Sequence, residues 1–374
     1  MTPRIGILTK VLPSLGVWRD AESLMWALAP ATASVFPVEY DRRLERAPRL
    51  ARAGSNYPRA AGVVERGTPL IDWLQRVDTV IVPESLLPGT FELMRSFGIR
   101  VVLIPNLDWA VDPCDESADV GEWIGALRSS RVEVWAKTPR IRDTLSNAGI
   151  ECELLEWSIP DPVLDRPPAS NGRQTTYYMN CGRGGWRNRR GVDIALKSFS
   201  LVRNKTSDVR LILSTVRPLE QYDPPLAPCD GIDVQTGFFR RGAIESNYAS
   251  CSAVLYPSRW EGFGLSLLEA LHAGCPVIAT DGWPMNELAF HGENALLVPA
   301  GQLGNTRLAP RWECSETDFA AAMWTLHSNP ELRSKLTGAS SLKLRNRQSE
   351  FVRNVRRLSS RGGTQSRVGE EAFT

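Results

Sequence analysis

Two glutamates eight positions apart, Glu261 and Glu269, stand around a glycine pair, Gly262 and Gly264, in the segment YPSRWEGFGLSLLE at 256–269. Carboxylates accept hydrogen bonds from vicinal hydroxyls, and glycines let backbone approach a ligand closely. The apolar run at 253–256 reads as a strand, and 265–273 reads as a helix. A strand, an open loop and a helix start, in that order, aim free N–H groups and the positive end of the helix dipole at an anion. The arrangement can hold a diphosphate and read the hydroxyls of a sugar nucleotide. Spacing alone does not carry this reading. The chain has 24 glutamates, and a second pair at the same spacing, Glu84 and Glu92, has no glycine frame around it.

The elements that must position these residues alternate along the chain. Apolar runs at 4–9, 34–38, 79–82, 101–105, 132–136 and 153–155 read as strands, with helices expected at 20–28, 91–97 and 139–148. Asp20 is a plausible N-cap for the first of these helices. A second series follows, with strands at 177–181, 210–214, 232–235, 253–256, 276–280 and 295–298 and a helix at 192–202. Short apolar runs separated by helical patterns predict parallel sheets in an α/β protein. The stretch 161–175, rich in Pro, Asn and Gly, separates the two series. Ligands of such sheets bind beyond the carboxyl ends of the strands. In the second series those ends carry Gly182 with Arg183, residues 257–264, and residues 281–287.

At 374 residues, 43% apolar and 23% charged, the chain has the composition of a globular protein of two domains. A net charge of +2, with no broad basic face interleaved with aromatics, disfavours a nucleic-acid partner. The basic residues are 38 Arg against six Lys, and Arg suits bidentate phosphate contacts. The seven cysteines are scattered without metal-ligand spacing, which fits free thiols in a reducing compartment. No apolar run approaches a membrane span, and the N-terminus lacks the apolar core of a signal peptide. The expected location is the cytoplasm, with peripheral membrane contact left open.

The stretch from YPSRWEGFGLSLLEALHAGCPVIATDGW through PMNELAFHGENALLVPAG, with CGRGGWRNRRG upstream, resembles the donor-binding half of retaining glycosyltransferases of the GT-B fold, specifically glycosyltransferase family 4. The resemblance is strong over 177–301 and only architectural over 1–157. It implies an α/β fold of GT-B architecture, with two Rossmann-like parallel-sheet domains facing a central cleft. The implied layout is an acceptor-binding domain at 1–160, a linker at 161–175, and a nucleotide-sugar domain at 176–358 whose last helix is free to return to the first domain. Residues 359–374 are expected to be a disordered tail.

The resemblance also implies roles. Glu261 would contact hydroxyls of the transferred sugar, and Glu269 the ribose. Phe263, Gly264 and Leu265 would bring backbone amides to the diphosphate, beside Gly182. Arg183 matches the family's phosphate-binding Arg. The family's Lys is replaced by Arg190, or by Arg189 if the loop is shifted. Glu287, in DGWPMNE, would approach the sugar. The first half departs from the pattern, because a His that often follows the strand at 101–105 is missing. All three histidines, 272, 291 and 327, lie in the second half. The slot holds Asn106, Leu107, Asp108 and Trp109. Asp108 could accept a hydrogen bond from a sugar or an acceptor, and Trp109 could stack on a pyranose face or simply be buried. Trp18, Trp73, Trp123 and Trp157 present the same alternative between stacking and core.

The implied reaction is transfer of a hexose from a UDP- or GDP-sugar to an acceptor hydroxyl with retention. The nucleotide sugar would be a co-substrate, with no tightly bound cofactor and no metal. The acceptor is open among glycan, lipid, small molecule and protein. A GT-B-fold nucleotide-sugar epimerase and a non-catalytic nucleotide-sugar sensor are the competing readings. A phosphorylase is disfavoured, since no lysine stands out for a pyridoxal cofactor.

Overall fold

The computed structural model describes residues 4–10, 16–31, 33–38, 62–64, 69–84, 88–109, 119–130, 132–160, 174–182, 188–237, 239 and 241–361. The chain divides into two units. The first comprises residues 1–158 and 347–374, and the second residues 159–346.

The first unit contains β1 (Ile5–Lys10), α1 (Gly16–Leu28), β2 (Ala33–Val38), β3 (Gly62–Val64) and α2 (Leu70–Leu74). It continues through β4 (Thr79–Pro83), α3 (Pro88–Ser96), β5 (Arg100–Ile104), α4 (Val120–Ser130), β6 (Glu133–Ala136), α5 (Pro139–Asn147) and β7 (Cys152–Leu154). Its seven strands lie in the order β3-β2-β1-β4-β5-β6-β7, all parallel.

The second unit repeats this order. It begins with β8 (Thr175–Gly182), α6 (Val192–Arg203), β9 (Val209–Thr215), β10 (Ile232–Thr236), α7 (Arg241–Ser250) and β11 (Ala253–Tyr256). There follow α8 (Leu265–His272), β12 (Val277–Asp281), α9 (Met285–Leu288), β13 (Ala295–Thr306), β14 (Ala309–Cys314) and α10 (Glu316–Ser328). The sheet order is β10-β9-β8-β11-β12-β13-β14, parallel except for the antiparallel β13–β14 pair. The last helix, α11 (Pro330–Ser359), begins in the second unit and ends in the first. Both sheets are doubly wound, as the alternation of apolar runs and helical patterns predicts. In each, the chain reverses its winding direction next to the first strand, between β1 and β4 and between β8 and β11. That reversal opens a crevice at the carboxyl ends of the two strands.

Strands buried on both faces need apolar residues at nearly every position, and β4 (TVIVP) and β11 (AVLY) are buried throughout. In α6, Val192, Ala195, Phe199 and Val202 recur at helical spacing and face the core. They pack with Tyr177, Met179, Leu211 and Leu213 of the sheet and with Phe319 and Met323 of α10. Each fully buried Phe contributes about 1.5–3 kcal/mol. In the first unit, Phe351 of α11 packs on Trp157 and Trp26, with ring centroids 4.9 and 6.2 Å apart.

Several elements differ from the sequence expectation. α1 starts at Gly16, so Asp20 lies inside the helix and is not its N-cap. Its carboxylate is buried and ion-paired with Lys137. The strand expected at 295–298 runs on to Thr306 and folds back as β14, because the polar, glycine-containing stretch 299–308 has no apolar alternation to reveal the hairpin. The glycines at 121 and 125 hide α4, which is anchored by Trp123 and Leu127. Most of the linker expected at 161–175 lies outside the described residues, as do residues 362–374 of the tail expected at 359–374. The first residue of that tail, Ser359, instead ends α11 and is buried. Among the described residues, no helix is long and apolar enough to cross a membrane.

Candidate functional site

The carboxyl ends of β8 and β11 are adjacent in the second sheet, and two glycines shape the loops that leave them. Gly191 has φ +66°, and a Cβ added there would lie 2.0 Å from the carbonyl oxygen of Pro257. Only glycine allows this approach of the loop after β8 to the loop after β11. Gly264 has φ +92° at the N-cap of α8, so the chain turns sharply into the helix and leaves the first N–H groups of α8 at the crevice. Phe263 is buried beneath this turn, and Leu265 begins the helix.

A network of polar side chains joins the two loops. Arg190 Nη1 lies 2.5 Å from Glu261 Oε1 and donates to Ser266 Oγ at 3.1 Å and to the Tyr256 hydroxyl. The Tyr256 hydroxyl in turn donates to Glu261 Oε1 at 3.0 Å. Arg189 is more distant, with Nη1 3.9 Å from Glu261 Oε2. Glu261 is thus almost fully buried, at 3% exposure, and is held by Arg190 and Tyr256 together. Burial pulls the Arg190 guanidinium toward its neutral form, but Glu261 and Tyr256 outweigh that, and its pKa rises above the ordinary value. Burial likewise pushes the Tyr256 phenol up, so it remains a neutral donor near neutral pH.

Arg259 braces the same two loops from behind. It holds Asp193 with two hydrogen bonds, of 2.8 and 2.9 Å, and Glu313 of β14 with two of 2.7 Å. Its Nη1 also donates to the Asn188 carbonyl at 3.1 Å, and its backbone N–H to the Arg189 carbonyl at 2.8 Å. Burial opposes the charge on Asp193, but the Arg259 pair outweighs it, leaving Asp193 below the usual carboxylate value. Trp312 of β14 donates its backbone N–H to the Arg259 carbonyl at 2.7 Å and its indole N–H to the Trp283 carbonyl at 2.9 Å.

The remaining sequence candidates fall as follows. Gly182 ends β8, with its N–H accepted by Asn180 Oδ1 at 3.1 Å. Glu269 is half-buried one turn further along α8. Glu287, on α9, accepts the Trp283 indole N–H at 2.6 Å. Arg183 lies outside the described residues. Asp108 belongs to the first unit, buried in a single 3-10 turn after β5. The side chain of Trp109 is outside the described set, while Trp73, Trp123 and Trp157 are core residues. Trp18 is half-buried and donates to Glu22.

Sequence reasoning missed Tyr256, Ser266, Asp193 and Arg259. Tyr256 and Ser266 carried a signal, as hydroxyls next to an apolar strand and an apolar helix face. Arg259 carried none, because its partner Asp193 is 66 positions away. Lys137 was also missed. At the carboxyl end of β6 it lies 2.5 Å from Asp20 Oδ2, 3.0 Å from Asn106 Oδ1 and 4.8 Å from the Trp157 ring centroid. Burial raises the Asp20 pKa against the opposing pull of Lys137.

Residues 176–329 match the sequence model of a family described as Glycosyl transferases group 1. The chain is 33% identical over 108 residues to the 2-deoxystreptamine N-acetyl-D-glucosaminyltransferase of Niallia circulans, an alignment spanning 28% of each chain. It is 24% identical over 164 residues to the D-inositol 3-phosphate glycosyltransferase of Pseudarthrobacter chlorophenolicus, covering 42% of this chain and 36% of that one. The alignments therefore span well under half the length of these relatives. In fold, the chain resembles the crystal structure of Anabaena Alr3699/HepE in complex with UDP and glucose. The TM-score is 0.67 at 13% identity, over 96% of this chain and 100% of that one. The fold class is the α/β architecture of GT-B glycosyltransferases.

Proposed function

We propose that this protein is a retaining, metal-independent glycosyltransferase that moves a hexose from a nucleotide diphosphate sugar to an acceptor hydroxyl. The observation that carries the reading is the Arg190–Glu261 pair, set beside the N-terminus of α8 at the switch point between β8 and β11. A cation and a helix start serve a diphosphate, and a carboxylate beside them serves the hydroxyls of the attached sugar. The match of residues 176–329 to a glycosyltransferase family supports the same reading. The UDP and glucose named for the Anabaena structure favour a UDP-linked donor over a GDP-linked one.

Breaking the glycosidic bond leaves growing negative charge on the departing diphosphate. Arg190, Arg183 and the N–H groups at Gly264 and Leu265 stabilise it. Glu261 holds the transferred sugar, Glu269 the ribose, and Glu287 approaches the sugar from α9, which follows β12. The acceptor hydroxyl attacks the anomeric carbon from the leaving-group face, and its proton passes to a donor phosphate oxygen. No enzyme nucleophile takes part. The first unit binds the acceptor, with Asp108 accepting a hydrogen bond from it. The six cysteines among the described residues are free thiols, which suits the cytoplasm.

A thermal-shift panel of nucleotide sugars, followed by mass spectrometry of products, tests this function. Stabilisation by a UDP-sugar and a glycosylated product from a cell-extract acceptor mixture are expected. Conversion of the donor to an isomer without any acceptor would establish an epimerase instead. Binding without turnover would establish a sensor.

A further inference from the structure

We propose that Tyr256 and Ser266 are positioning residues that grip Arg190 by its Nη1 nitrogen and so keep the opposite, Nε–Nη2 edge of the guanidinium for the donor's phosphates. The proposal rests on the donor-site reading above and adds residues and a geometry to it.

A guanidinium has five N–H donors in a fixed plane, whereas an ammonium is a point charge without edges. Among the described residues, the hydrogen bonds of Arg190 leave from Nη1. That nitrogen donates to the Tyr256 hydroxyl and to Ser266 Oγ, and it lies 2.5 Å from Glu261 Oε1 as an ion pair. Nε is buried and has no partner among the described residues. The Nε–Nη2 edge is the one that meets two oxygens of a phosphate side by side. Tyr256 is suited to this grip because its single hydroxyl closes a chain. It accepts from Arg190, donates to Glu261 at 3.0 Å, and lies 3.4 Å from Ser266 Oγ. Its ring centroid is 5.2 Å from the guanidinium carbon, which fixes the side chain from a second direction. A phenol at the end of β11 and a hydroxyl in the first turn of α8 are thus what an arginine, standing where a lysine was expected, requires in order to present one edge.

The test is a double-mutant cycle read by calorimetric binding of UDP, with GDP in parallel, on the full chain. Tyr256→Phe is expected to weaken nucleotide binding about tenfold with Arg190 in place. In the Arg190→Lys background the same Tyr256→Phe change is expected to cost less than about twofold, because an ammonium has no edge to lose. Ser266→Ala in the Arg190 protein is expected to weaken binding in the same direction by a smaller factor. It serves as an independent arm if the double variant does not fold, as judged by circular dichroism. Equal loss from Tyr256→Phe in both backgrounds overturns the proposal, since the hydroxyl would then act without Arg190. So does wild-type affinity in both Tyr256→Phe and Ser266→Ala. A wild-type protein that binds neither nucleotide overturns the donor-site reading itself, an outcome separate from the other two.

Discussion

Arg259 grips the carboxylate of Asp193 with two nearly equal hydrogen bonds, of 2.8 and 2.9 Å, across 66 positions of sequence. The pair fastens the first turn of α6 to the loop after β11. Both loops of the candidate site therefore share one anchor.

Arg259→Met removes the anchor and leaves two part-buried carboxylates, Asp193 and Glu313, without their cation. The expected loss of stability is about 2–3 kcal/mol. The midpoint of urea unfolding measures it, and an unshifted midpoint would mean that the clamp contributes nothing to the fold.

The same clamp gives a pH dependence whose sign is fixed. The folded-state pKa of Asp193 is depressed below its ordinary value of 3.8. Its contribution is therefore complete above the unfolded-state value and is lost as pH falls through the folded one. Asp193→Asn should be less stable than the wild type near neutrality. The gap between the two should narrow as pH drops below about 3.8. Urea unfolding of both proteins across pH 3–7 checks this, and a gap that widens in acid would contradict it.

Gly191→Ala places a methyl group 2.0 Å from the Pro257 carbonyl oxygen at a residue with φ +66°. Strain and clash together should cost about 2–4 kcal/mol and separate the loops after β8 and β11. Both the unfolding midpoint and nucleotide affinity should fall. A protein that keeps its affinity would show that the two loops bind independently.

Glu269→Ala should leave the fold intact and weaken nucleotide binding roughly ten- to a hundredfold, the worth of hydrogen bonds from ribose hydroxyls to a carboxylate. Calorimetry with UDP and GDP gives the readout. Unchanged affinity would remove Glu269 from the site.

Activity should survive EDTA, because the proposed charge stabilisation comes from arginines and backbone N–H groups. Full loss on chelation, restored by Mn²⁺, would show that a metal carries the leaving diphosphate.

The doubly wound halves were legible in the sequence because each strand of a buried parallel sheet must be apolar along its length, and each covering helix apolar on one face. Runs such as 79–82 and 253–256, and the spacing of Val192, Ala195, Phe199 and Val202, report these demands locally. The β13–β14 hairpin was not legible, since its outer half carries polar residues and glycines with no period. Asp20 looked like a cap because a polar residue before an apolar run usually is one. Its partner Lys137, 117 positions away at the end of β6, could not be read from neighbours in sequence.

The sequence by itself determined which residues are equipped for a phosphate and a sugar: the glutamates at 261 and 269, the glycines between them, and the arginines upstream. Only the tertiary structure decided that Arg190 meets Glu261, that Tyr256 and Ser266 hold its Nη1, and that Arg259 braces both loops. The reason is the strand order. β8 lies beside β11 although β9 and β10 intervene in the chain, so the contacts that build the site come from the pairing of distant strands. Residue types are set locally by what each element must bury or expose. Which of them touch is set by the way the sheet is wound.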